Sequence, residues 1–142
     1  GQNVTLWLVM DRRKAREYTF IILFQYKFQP EDISEILDDF FKEYDTGKQG
    51  EYISQAVAGV VKNIDEIDKK ITEFSNGWDI ERIGAVSLAI LRLGVFEMLY
   101  MDDLPLPVSV NEASNLTREY AGEEAVSFVN GVLGSIQKQL EN

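Results

Sequence analysis

Arg12-Arg13-Lys14-Ala15-Arg16 places four cations within five residues of a 142-residue chain whose formal net charge is −10. Asp11, just before them, suits a helix N-cap, so the cluster falls on the first turn of a helix. A helix N-terminus already carries partial positive charge and disfavours cations by a few tenths of a kcal/mol each, roughly. Local stability therefore does not account for the cluster. An external anion does, and the extended anion that rewards clustered Arg and Lys is a nucleic-acid backbone. Steps of three and four residues carry Arg13, Arg16, Phe20, Phe24 and Lys27 along one side of that helix. Cationic tips for phosphates beside aromatic faces for bases suit a single strand. The competing reading is a solvated helix start whose arginines pair with nearby acids such as Glu17.

Other constellations carry less chemistry. Arg92 and Glu97 lie in a stretch, Ile83 to Leu99, whose only other clearly polar side chain is Ser87. A buried charge is costly unless paired, so these two are expected in a structural network, with Asn111 or Glu112 as candidate partners. Asn130-Gly131 interrupts the apolar run Phe128 to Leu133. Both are poor mid-helix residues, which points to close packing and a buried hydrogen bond there. Asp38-Asp39 and Asp65-Glu66 with Asp68 are acid-rich but form no calcium loop, and read as solvated faces. No phosphate-cradling glycine loop is present.

Composition narrows the function further. The chain has no histidine and no cysteine, which excludes His-based triads, imidazole bases, thiolate nucleophiles and thiolate or imidazole metal sites. No catalytic residue, metal or cofactor is expected. Seven acids against one lysine fill residues 31–45, so an acidic body carries one basic end. No apolar run reaches the roughly 18 residues that span a membrane, and a cytoplasmic location is expected. Residues 1–9 read as a tag or upstream extension, and residues 10–142 as a single domain.

The elements that must position these side chains are helical nearly throughout. Apolar residues recur at helical spacing over about 11–28, 30–44, 51–63, 65–76, 79–101 and 123–140. The stretch around 79–101 is apolar almost all round and predicts a central, buried helix, with Gly84 and Gly94 allowing close contacts or a kink. Leu104 to Pro107 predicts an extended link. Ser109-Val110-Asn111-Glu112 predicts a capping box opening a helix that stops near Gly122. The fold class is all-α, with about seven helices.

Three segments together resemble the NusB family of bacterial transcription antitermination factors. They are Arg12 to Glu17; Ala89-Ile90-Leu91-Arg92-Leu93 with Phe96-Glu97-Met98-Leu99; and Val110-Asn111-Glu112-Ala113 followed by Phe128-Val129-Asn130-Gly131-Val132-Leu133. The resemblance covers about residues 11–140. It implies two small helical-bundle subdomains and no catalysis. It implies binding of a single-stranded boxA element in ribosomal RNA leaders, together with the ribosomal protein NusE, in an RNA polymerase complex with other Nus factors. It places the RNA-binding motif on Arg12, Arg13, Lys14 and Arg16, RNA-facing aromatics on Phe24 and Phe128, an acidic position on Glu124 and a neighbouring aromatic on Tyr120. Family members occur as monomers and homodimers. Two positions depart from the family pattern. Ser127 stands where many members carry a cation, and Ser87 stands near a position where members use an acid toward a partner. Two other readings compete with this one: a protein-only helical adaptor, and a targeting domain of the kind that precedes the catalytic domain of ribosomal RNA methyltransferases. A carboxylate-based metalloenzyme is the remaining rival.

Overall fold

A computed structural model describes residues 10–142. The expectation for residues 1–9 lies outside the described residues. Seven α-helices follow in order among these residues, with no strand. They are α1 (Arg12–Phe28), α2 (Ile33–Glu43), α3 (Gly50–Lys62), α4 (Ile64–Glu73), α5 (Ala85–Tyr100), α6 (Leu106–Tyr120) and α7 (Glu123–Glu141). Short 3-10 turns at Pro30–Asp32, Gly47–Gln49 and Ile80–Arg82 connect them. No described helix is long and apolar enough to cross a membrane.

α1 opens as its sequence dictates, with the Asp11 carboxylate accepting the Lys14 backbone N–H at 2.8 Å. It ends at Phe28, just before Pro30 starts the next turn. The links into α5 and α7 use positive φ where glycine bears it without cost. These are Gly77 at +84° and Gly122 at +96°.

α5 is the axis of the fold. Every residue from Ser87 to Met98 is buried, because α1, α3, α4, α6 and α7 all pack on it. α1 also packs on α2 and α3, while α6 and α7 pack on each other across a two-residue link. The two small bundles thus meet on α5, and their apolar side chains form one continuous core.

Close helix approach occurs at two glycines. A Cβ on Gly59 of α3 would strike the Phe96 ring of α5, and one on Gly94 of α5 would meet Leu133 of α7 at 3.0 Å. Gly131 differs from expectation. It is exposed, and a Cβ there would meet nothing within 4 Å. Asn130 is exposed too, and accepts only a 3.3 Å bond from Ser114. The expected close packing and buried hydrogen bond are absent, because Val129, Val132 and Leu133 supply the buried face of α7. Gly84 is not a close contact either; it caps α5 in open space.

The capping box at Ser109 also does not form. α6 starts three residues earlier, at Leu106, with Pro105 at the cap. Pro107 fits the first turn, where its missing N–H has no helical partner to lose. The extended link therefore ends at Pro105, and Ser109 lies within the helix.

Gly59→Ala should destabilise the protein. Overpacking against the aromatic ring costs about 1–3 kcal/mol and outweighs the gain of about 1 kcal/mol in helix propensity. Gly131→Ala, with open space, should stabilise by up to about 1 kcal/mol. Urea denaturation of the two variants checks both signs.

Candidate nucleic-acid interface

The four cations at the start of α1 have four different environments. Arg16 points inward. It is 5% exposed, and its Nε donates to Glu97 Oε2 at 2.8 Å. Arg16 was expected among the phosphate-neutralising cations, but its charge is committed to the interior. Four helices meet at this pair. Tyr52 of α3 donates its hydroxyl to Glu97 Oε2, and Ser109 of α6 donates to Glu97 Oε1 at 2.8 Å. No buried side-chain nitrogen or oxygen among the described residues lacks a partner. Burial opposes the Arg16 charge, but the charges of Glu97, Tyr52 and Glu112 and the bond to Glu97 outweigh it and hold the guanidinium above its ordinary pKa. Burial, then the Glu97 charge, pushes the Tyr52 hydroxyl far up.

The expected partnership of Arg92 and Glu97 is replaced by two separate networks. Arg92 forms a two-pronged pair with Asp68 of α4, at 2.9 and 2.8 Å. Asn111, the other candidate partner, is exposed. Glu112 does join Arg16, at 3.9 Å.

Three cations remain at the surface. Arg12 donates to Gln49 at 2.7 Å and lies over the Tyr52 ring, 4.2 Å from its centroid. Its recorded partners are neutral. Arg13 is 74% exposed in its side chain and reaches Glu112 at 3.2 Å. Lys14 bonds Glu17 at 2.7 Å. Three of the cations are thus outward, and two of them, Arg13 and Lys14, pair with acids of this chain as the competing reading expects. The cleft between α1 and α6 is lined by Arg13 and Lys14 but also by Asp11, Glu17, Glu112 and Glu119.

Glu17 joins the cluster to the aromatic end of α6. It accepts the Tyr120 hydroxyl as well as the Lys14 ammonium. Burial alone would raise the Glu17 carboxyl, but the bonds from Lys14 and Tyr120 and the Lys14 charge prevail and hold it below its ordinary range. The Tyr120 hydroxyl is pushed up to about 12, first by its bond to Glu17. The Tyr120 ring meets Phe20 edge-on, 4.9 Å between centroids.

The expected aromatic stripe of α1 splits. Phe20 is buried, whereas Phe24 is half-buried and meets Phe28 edge-on at 5.2 Å. Phe28 is 60% exposed, with the Lys27 ammonium 5.2 Å from its ring centroid. Phe128 of α7 is half-buried against the core, and Glu124 is exposed one turn before it. Ser127 is exposed, while Ser87 is buried in α5. Among the described residues no cluster of three or more acids is arranged to hold a metal ion. Sequence reasoning missed Tyr52, Ser109 and Asp68 as partners of the buried charges. A hydroxyl or carboxylate on an otherwise apolar helix face is the only local trace they leave.

The family model described as the NusB family matches residues 13–138. The chain belongs to the NusB family. A relative named transcription antitermination protein NusB, from Acetivibrio thermocellus, is 43% identical over 130 residues, 91% of this chain and 90% of that protein. The solved T. maritima NusB superimposes with a TM-score of 0.84 at 32% identity, covering 92% of this chain and 93% of that one. A structure described as antitermination factors NusB and NusE in complex with dsRNA aligns at a TM-score of 0.77 and 30% identity, covering 90% of this chain and 96% of that chain. The family membership accounts for the co-occurrence of the α1, α5 and α7 segments.

Glu97→Ala should cost about 3–5 kcal/mol, because it strands the buried Arg16 charge. Chemical denaturation measures this. Tyr120→Phe should raise the Glu17 pKa, read by carboxyl NMR, because one of the bonds that lower it is lost. A depressed carboxyl contributes stability above its unfolded pKa and loses it as pH falls through the folded value. Wild type should therefore lose more stability than Tyr120→Phe on acidification below about pH 4.5.

Proposed function

We propose that this protein is a non-catalytic transcription antitermination factor that binds single-stranded boxA RNA of ribosomal RNA leaders, together with NusE and within the RNA polymerase antitermination complex. It acts in the cytoplasm, as a monomer or a homodimer, and residues 10–142 work as one domain. The observation that carries this reading is the set of outward cations on the first turn of α1, in a chain of the NusB family. Arg12, Arg13 and Lys14 take phosphates. Arg16 does not touch RNA in this reading; it fixes the helix that presents the other three. Phe24 and Phe128, both half-buried, offer ring faces to bases, with Tyr120 and Glu124 beside them. The related complex of NusB, NusE and dsRNA supports an RNA and a NusE partner for this chain. The acid-rich remainder suits a basic ribosomal protein, whose docking would add contacts and raise RNA affinity. Glu112 borders the cluster from α6, pairing with Arg13 and Arg16, whereas the exposed Asn111, Asn130 and Gly131 have no part in the core.

A boxA oligonucleotide titrated against the protein, with and without NusE, tests the reading. Arg12→Ala and Arg13→Ala should each weaken binding and reduce the slope of log affinity against log salt by about 0.7. Phe128→Leu, which keeps the packing but loses the ring face, should weaken binding by about 1–3 kcal/mol. No RNA affinity under either condition, with NusE still bound, would identify a protein-only adaptor instead.

A further inference from the structure

Glu112 stands apart from the other acids of the cleft. It lies on α6, 99 residues from Arg13 in sequence, yet its Oε1 sits 3.2 Å from the Arg13 guanidinium and its Oε2 3.9 Å from that of Arg16. Both oxygens therefore face α1. The side chain is 16% exposed, so the carboxylate is lodged against the helix rather than free in solvent. It does not cap α6, which starts six residues earlier at Leu106. It is not required to neutralise Arg16 either, because Glu97 does so at 2.8 Å with full burial. A guanidinium takes a carboxylate or a phosphate by the same hydrogen-bonding geometry. Glu112 thus takes one of the Arg13 N–H donors that a phosphate oxygen would otherwise use.

We infer that Glu112 is an internal anion that holds Arg13 in the free protein and competes with an RNA phosphate for it. Glu112 thereby sets the affinity of the RNA surface. This inference rests on the RNA-binding reading above. In the bound state Arg13 must leave Glu112 or share its donors, and the freed carboxylate then faces the incoming phosphate. Both effects oppose binding. Both vanish when the carboxylate becomes an amide.

Glu112→Gln should bind boxA RNA about two- to fivefold more tightly than wild type, the range set by releasing a partly exposed ion pair. The gain should shrink as salt rises, because the repulsion it removes is screened. It should also depend on Arg13. In an Arg13→Ala background, Glu112→Gln should add less than in wild type, because only the repulsion remains to be removed. RNA titrations of wild type, both single variants and the double variant, at two salt concentrations, provide the cycle. Equal or weaker binding by Glu112→Gln overturns the inference and makes Glu112 a residue that orients Arg13. A gain that persists unchanged without Arg13 overturns it as well, leaving only a general charge effect. If thermal denaturation shows Glu112→Gln to be unfolded, Glu112→Asp replaces it. That variant draws the carboxylate about one methylene away from Arg13 and must show a gain of the same sign. Wild type that fails to bind the RNA, with or without NusE, overturns the functional reading itself, an outcome distinct from wild type that binds and a variant that gains nothing.

Discussion

One buried ion pair organises this molecule. Arg16 of α1 and Glu97 of α5 meet at 2.8 Å, with Tyr52 of α3 and Ser109 of α6 closing the remaining bonds to the carboxylate. Hydrophobic burial drives α1 onto α5 but is non-directional, and it would tolerate rotations and slides of the helix. Two charges that have left water tolerate none, because misalignment leaves each uncompensated. The pair therefore sets the angular position of α1 on its neighbours.

That setting has an immediate result at the surface. With Arg16 turned inward, Arg12, Arg13 and Lys14 are exposed, and each finds a different neighbour: an aromatic face, an acid from α6, and an acid one turn further along α1. A cluster of four cations within five residues thus becomes one anchor and three graded contacts. The anchor is buried against Glu97, and the placement of the other three depends on it. Glu17 extends the arrangement to Tyr120, so the basic start of α1 and the aromatic end of α6 share one carboxylate.

Helix positions were legible in the sequence because each helix buries one face and the period of that burial is local. α5 was legible for the opposite reason: its apolar character runs all round, and only a central helix survives that way. Asp11 was readable as a cap because its partner lies three residues away. What remained hidden depends on distance along the chain. The inward turn of Arg16 follows from Glu97, 81 residues later, and no local pattern separates an arginine that will meet a carboxylate from one that will meet solvent. Ser109 misleads because Ser-x-x-Glu fits a cap equally well, while Pro107 lets the helix begin sooner. Gly131 misleads because a mid-helix glycine has the same local signature whether a neighbour crowds it, as Phe96 crowds Gly59, or nothing does.

The wide sequence separation of the Arg16 pair also bears on the order of assembly. A chain emerging from the ribosome releases its N-terminal helix first, with its cluster of cations, but the carboxylate that orients that helix lies 81 residues behind, and Ser109 and Glu112 follow later still. Closing so long a loop is the slow, entropically costly part of folding such a chain. Until most of the protein has been synthesised, α1 is a bare cationic helix that lacks both its anchor and the acid that occupies Arg13. The nascent segment is thus a polycation without a fixed orientation, and it acquires one only when α5 and α6 have been synthesised.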